Sequence, residues 1–277
     1  MGHFITTELE PSMPREISIF PGSWKLKPLI TLHICASILL LSFALPAGKE
    51  LWRLLDSSVF YYLNGFIAQS GAQTSFWAWM NVRAADLLPG ILILLTLTFP
   101  GLGFRREQLQ QALVGFFALL FFALILRQLL HEVTELFQLA GLSPSLVLEP
   151  VNRLSELAPH IDAKDSSKES FPGDHAAILL LWAGYIVLSR RSLPSLLALI
   201  TAIAFTLPRM VGGAHWFSDN YVGGLFTALI ALAWAFYSPL CAWLAIRLMR
   251  LCAPLFKQLA RLPGIGRLPF FTASHSA

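Results

Sequence analysis

The chain has 277 residues, 56% of them hydrophobic and only 13% charged, about half the charged share of an ordinary globular domain. The formal charge is +4 and the mean hydropathy +0.63, values that exclude an ordinary water-soluble domain. With the basic residues distributed as described below, nucleic-acid binding is a poor account of the positive balance.

Residues 1–28 are polar, contain Pro11, Pro14 and Pro21, and read as a cytoplasmic N-terminal arm. Six apolar windows follow, near Leu29–Ala47, Asp86–Pro100, Leu109–Leu130, Ala176–Ser189, Leu193–Pro208 and Tyr221–Ile246. Read as transmembrane helices, they give an all-α polytopic membrane protein. The small residues at Ala44-Leu-Pro-Ala47 would suit a signal-peptide cleavage site, but so long a polar stretch before the first window argues against one. Between the first two windows, Leu51, Trp52, Leu54, Leu55, Val59, Phe60, Tyr62 and Leu63 recur near helical spacing, with Trp77 and Trp79 beyond. Such aromatic, amphipathic segments lie at the headgroup level of a membrane. Residues 131–174 form the longest polar connection, and residues 247–277 read as a basic cytoplasmic tail behind a six-helix domain at 29–246. Cys35, Cys241 and Cys252 lie in or beside apolar runs without C-x-x-C spacing, so neither a disulfide framework nor a zinc site is expected.

Lys and Arg set the orientation. With the N-terminus in the cytoplasm, 12 of the 20 basic residues fall on the inner side (Arg15, Lys25, Lys27, Arg105, Arg106, Arg190, Arg191, Arg247, Arg250, Lys257, Arg261 and Arg267). Only Glu8, Glu10, Glu16 and Glu107 accompany them. The long connection at 131–174 and the segment at 48–85 then lie outside.

Two stretches on that outer side carry chemistry: Phe171-Pro-Gly-Asp-His175 and Arg209-Met-Val-Gly-Gly-Ala-His215-Trp-Phe-Ser-Asp219. On a helix, residues four apart share a face, so Asp219 is expected to hold the His215 imidazole in one tautomer. A neutral imidazole held by a carboxylate is a nucleophile, and Arg209 supplies a guanidinium fork for phosphate oxygens. Pro172 and Gly173 open a helix whose first N–H groups attract anions, and His175 in that first turn can protonate a leaving oxygen. The other histidines, His3, His33, His131, His160 and His275, read as structural or solvated. Two His and an Asp could also bind zinc, but a guanidinium beside a dication is repelled, so no metal is assigned.

The Arg209/His215/Asp219 spacing, preceded by Pro-Gly-Asp-His175, resembles the last two motifs of the type 2 phosphatidic acid phosphatase superfamily. That resemblance implies a phosphohistidine on His215, orientation by Asp219, leaving-group protonation by His175 and phosphate neutralisation by Arg209, without a cofactor. Asn152-Arg-Leu-Ser-Glu-Leu157, Lys164-Asp-Ser-Ser-Lys-Glu-Ser-Phe-Pro-Gly-Asp-His175 and Gly213-Ala-His-Trp-Phe-Ser-Asp219 look like the lipid A phosphotransferase branch of that superfamily. Asp56 with Phe60-Tyr61, Phe76-Trp77 and Arg83-Ala84 extend the likeness weakly. It implies a bacterial inner-membrane enzyme with its active site facing the periplasm and periplasmic interfacial helices. It further implies transfer of the distal phosphate of undecaprenyl diphosphate to lipid A 1-phosphate of lipopolysaccharide. The superfamily's first motif, a Lys followed six residues later by Arg-Pro, is missing: the corresponding Gln138-Leu-Ala-Gly-Leu-Ser-Pro144 has no basic residue. Lys164 and Lys168 are the nearest substitutes, with Arg153, Arg83 and Arg127 behind them and Gly173 at the helix start. A phosphatase using water as acceptor would use the same motifs. A non-enzymatic lipid carrier would require charged or broken helices at mid-membrane, and the windows are polar only at their ends.

Overall fold

The computed structural model describes residues 19–136, 141–190 and 193–272. The expectations for most of the N-terminal arm, including Arg15, for Gln138-Leu-Ala140 and for Arg191 lie outside the described residues.

Regular structure among the described residues is helical, with only two isolated β-bridges. Nine helices longer than a single turn are described: α1 (Leu26–Ala44), α2 (Pro46–Asn64), α3 (Gly71–Met80), α4 (Leu87–Thr98), α5 (Leu109–Leu136), α6 (Asp174–Ser189), α7 (Leu193–Val211), α8 (Leu225–Tyr237) and α9 (Leu240–Leu259). A π-helical segment, Asp219–Gly224, leads directly into α8. Four stretches are long and apolar enough to cross a membrane: Leu26–Ala44, Arg106–Leu136, Leu193–Val211 and Asp219–Tyr237. On α1, Ile30, Ile34 and Ile38 point outward at helical spacing, each more than half exposed. Water does not tolerate such a stripe, whereas hydrocarbon does.

Two of the six expected spans are short, and one ends early. α4 has 12 residues and α6 has 16, about 18 and 24 Å at 1.5 Å per residue, against a hydrocarbon core of roughly 30 Å. The window Tyr221–Ile246 is not one helix, because α8 stops at Tyr237 and α9 begins at Leu240. The break is at Ser238-Pro239: a residue before proline is driven out of the α region, and Ser238 is extended at φ −133° and ψ 164°.

The core is centred on Tyr185 of α6, fully buried among the rings of Phe20, Phe104, Phe116 and Phe236. Trp182 Nε1 donates to Thr96 Oγ1 at 2.8 Å, tying α6 to the short α4. Thus the short apolar helices are held by lateral packing against longer neighbours.

A cap of residues 141–173 closes the end of the bundle where α2 and α3 lie and where α6 begins. It is held mainly by three buried polar groups. Asn64 and Asn152 clasp each other: Asn64 Nδ2 donates to the Asn152 carbonyl at 3.1 Å and Asn152 N donates to Asn64 Oδ1 at 2.8 Å. The fully buried Asn81 donates from Nδ2 to the Pro208 carbonyl at 2.8 Å, while its own carbonyl accepts from Lys164 N at 2.9 Å. Asp165 accepts from Ser155 N at 2.9 Å, Ser155 Oγ at 2.7 Å and Arg153 Nη2 at 3.1 Å.

Burial alone would raise the Asp165 carboxyl, but the Ser155 bonds and the Arg153 charge hold it below its ordinary value. Its stabilisation is therefore complete above the ordinary carboxylate range and is lost as pH falls through the lowered value. Asp165→Asn should cost on the order of 2 kcal/mol at pH 7. In thermal unfolding of the detergent-solubilised protein, the gap to wild type should close below about pH 4. A gap that persists in acid would assign the loss to packing and not to charge.

Candidate active site

The end of α7 delivers Arg209, and the chain then turns sharply at Gly213, whose φ of +83° suits glycine and few other residues. The amides of Ala214 and His215 both donate to the Arg209 carbonyl, at 2.9 and 3.2 Å, fixing the turn. His215 therefore lies in a loop, not on the helix expected from its spacing to Asp219. The pairing itself persists: His215 Nδ1 is 3.4 Å from Asp219 Oδ2. A nearer partner is the carbonyl of Ser170 in the cap, 2.9 Å from the same nitrogen. A carbonyl only accepts, so Nδ1 carries the proton and the Nε2 lone pair is left available. Asp219 Oδ2 also accepts from Trp216 N at 2.7 Å, anchoring the loop that bears the histidine.

The starts of α6 and α8 meet because glycines leave no side chain between them. A Cβ on Gly173 would lie 2.6 Å from Asn220 Oδ1, and one on Gly223 would lie 2.7 Å from Pro172 Cβ. The π-helical Asp219–Gly224 segment makes this approach, a local geometry often found at functional sites. Asp56 of α2 supports it from the other side, accepting from Ser218 N at 2.8 Å and Ser218 Oγ at 2.6 Å. Burial pushes the Asp56 carboxyl up to about 6, the two Ser218 bonds oppose that, and the Asp219 charge adds to it.

His175 and His215 line one cavity of about 370 Å³, together with Arg83, Asp86, Arg127, Lys164 and Arg209. Arg209 is buried; its Nη1 donates to the Asn81 carbonyl at 2.8 Å, and its Nη2 reaches both oxygens of Asp86 at 2.8 Å. His175 Nε2 is 3.8 Å from Asp86 Oδ1. Arg127 forks onto Asp174 at 2.5 and 2.8 Å. Desolvation lowers the Lys164 amine, and the charges of Arg209 and Arg83 push it the same way, against Asp86 and Asp174. Cations that repel one another in an empty cavity are relieved by a bound polyanion. At Arg127, Asp174 and Ile178 the cavity meets an apolar groove of about 350 Å³, whose walls include Leu120, Leu124 and Ala177.

The structure brings His215, His175, Asp219, Arg209, Lys164 and Arg83 together. Three expected substrate contacts fall elsewhere. Arg153 lines a separate groove beside Ser145–Val151 and is committed to Asp165. The Gly173 N–H is already donated to the Asp219 carbonyl at 2.9 Å, so it is not free for an anion. Lys168 is exposed and outside the cavity lining, although its neighbours Ser167 and Glu169 belong to it. Asp86 and Ser170 were missed. Asp86 opens an apolar window with nothing in the sequence to pair it with Arg209, and a backbone carbonyl has no signature in a sequence.

The family profile described as PAP2 superfamily matches residues 117–241, which include both histidines, Arg209 and Asp219. The Lipid A 1-diphosphate synthase of Escherichia coli (strain K12) is 34% identical over 222 residues, covering 78% of this chain and 89% of that protein. The chain belongs to that synthase's family, within the PAP2 superfamily. No solved structure matches it. It is thus a PAP2-type lipid phosphotransferase in its enzyme class, and the paired histidines lie in the part of the chain that the PAP2 superfamily shares. Arg83 and Asp86 lie outside that part.

Gly223→Ala should push Phe171-Pro172 away from α8 and shift the neighbouring Ser170 carbonyl off His215 Nδ1. Displacements near 1 Å cost on the order of a hundredfold in rate, so kcat should fall by about that factor. Gly90→Ala, with nothing within 4 Å of the new Cβ, should leave kcat unchanged. Equal effects in the two variants would remove the close approach from the account.

Proposed function

We propose that this enzyme moves the distal phosphate of undecaprenyl diphosphate to lipid A 1-phosphate through a phosphohistidine on His215. The observation that carries the reading is the His215 imidazole, protonated at Nδ1 by its bond to Ser170 and aimed into a cavity rimmed by Arg83, Arg127, Lys164 and Arg209. In the first step Nε2 bonds to the distal phosphorus while the bridging P–O bond breaks. The electron pair stays with undecaprenyl phosphate, whose oxygen takes the proton of His175. In the second step an oxygen of the acceptor monoester attacks phosphorus, and the N–P electron pair returns to Nε2. The proton carried by the acceptor passes to His175, and the site is restored. Lys164, Arg83 and Arg209 neutralise the transferred group, and Lys164 and Arg83 stand in for the missing first motif of the superfamily.

The apolar groove beside α5 and α6 supports a lipid donor, since it opens from the cationic cavity into the apolar part of the bundle. The similarity to the synthase supports lipid A as acceptor. The distribution of Lys and Arg supports six crossings of a bacterial inner membrane with the cavity on the periplasmic side, α4 and α6 being the short crossings.

His215→Ala should abolish the acid-labile phosphoenzyme formed from undecaprenyl diphosphate, and with it lipid A gain of one phosphate. Release of free phosphate by wild type, undiminished when lipid A is added, would overturn transfer in favour of hydrolysis. Inorganic diphosphate should raise the thermal midpoint of the wild type. Lys164→Ala should weaken that ligand by roughly 10- to 100-fold, the loss of one charge-assisted contact. An unchanged diphosphate titration would remove Lys164 from the phosphate site.

A further inference from the structure

Among the described residues, Asp86 is a carboxylate that pairs with both Arg209 and His175, the groups assigned to the transferred phosphate and the leaving oxygen. It ends the single 3-10 turn Arg83–Asp86, and its side chain is 41% exposed, facing the cavity. Both of its oxygens accept from Arg209 Nη2, and Oδ1 lies 3.8 Å from His175 Nε2. At that distance the carboxylate acts on the imidazole by charge and does not take its proton, which stays available at Nε2. The other charged groups lining this cavity are Arg83 on the same turn, Arg127 and His131 of α5, Lys164 and Glu169 of the cap, Asp174 of α6, Arg209 of α7, and His215. Asp174 is held by Arg127, and among the described residues the ion-pair partner of the His175 imidazole is Asp86.

We propose that Asp86 is the positioning residue of the proton transfer, holding Arg209 in place with one contact and keeping His175 protonated at Nε2 with the other. The inference rests on the two-step reading above. When the bridging P–O bond breaks, the electron pair on the departing oxygen takes the His175 proton, and the Asp86 charge holds the pair of residues aligned until then. An acceptor that is itself an anionic phosphate needs no strong base, so a carboxylate that favours the protonated histidine suits transfer between lipids better than activation of water.

Asp86→Asn keeps an oxygen for Arg209 and removes the charge. The alkaline limb of kcat/KM for undecaprenyl phosphate formation should move down by about one pH unit, so that activity well above the limb falls roughly tenfold further than on the acid plateau. KM should not rise, because Arg209 keeps an oxygen partner and loses only the charge that competes with phosphate. Asp86→Glu should keep the limb at its wild-type position, since the charge remains. A limb unchanged in Asp86→Asn, or displaced equally in Asp86→Glu, would overturn the proposal. Histidine Cε1 chemical shifts in the resting enzyme, with His175 assigned through His175→Gln, give a second reading without substrate. The titration midpoint should fall in Asp86→Asn, and an unmoved midpoint would also overturn it. A wild type that does not cleave undecaprenyl diphosphate would instead sink the two-step reading, and the histidine titration would still decide the role of Asp86.

Discussion

One contact organises the candidate site: the bond between His215 Nδ1 and the Ser170 carbonyl at 2.9 Å. It joins two segments 45 residues apart in sequence and determines which imidazole nitrogen carries the proton. The rest of the fold makes that contact possible. The Asn64–Asn152 clasp, the Asp165 hub and Asn81 hold the cap in register over α7, and the cap carries Ser170. Each anchor is a buried polar group, costly to leave unsatisfied, so partial detachment of the cap is disfavoured.

The same economy of space brings the two histidines together. Gly173 and Gly223 let the first turn of α6 touch the π-helical entry to α8, and Asp56 braces that entry through Ser218. The resulting cavity holds several cations in mutual repulsion and offers an apolar exit beside α5 and α6. A phosphate head on a hydrocarbon chain meets both needs at once: its charges relieve the repulsion and its tail stays out of water. Asp86 tempers the repulsion by pairing with Arg209.

Much of this was legible without coordinates. The helical class followed from apolar runs and aromatic spacing, and Arg209, His175, His215 and Asp219 stood out because four polar residues at fixed intervals border such runs. Interfacial helices were expected over 48–85, and α2 and α3 fall there. The split at Ser238-Pro239 is signalled by proline, but an apolar average over Tyr221–Ile246 hid it. Arg153 and Gly173 already have partners, and proximity in sequence to a motif says nothing of what already occupies a guanidinium or an N–H. Arg153 faces Asp165, and the Gly173 amide faces the Asp219 carbonyl.

Composition, hydropathy and motif spacing thus carried the membrane class, the helical fold and the choice of candidate site residues, since these depend on residue type and local period. The tautomer of His215, the pairing of Arg209 with Asp86 and the choice of Lys164 and Arg83 over Arg153 as cavity cations belong to the tertiary structure alone. Those features join residues 45 to more than 120 positions apart. Whether such groups meet depends on close helix approach and buried hydrogen bonds, which no local pattern encodes.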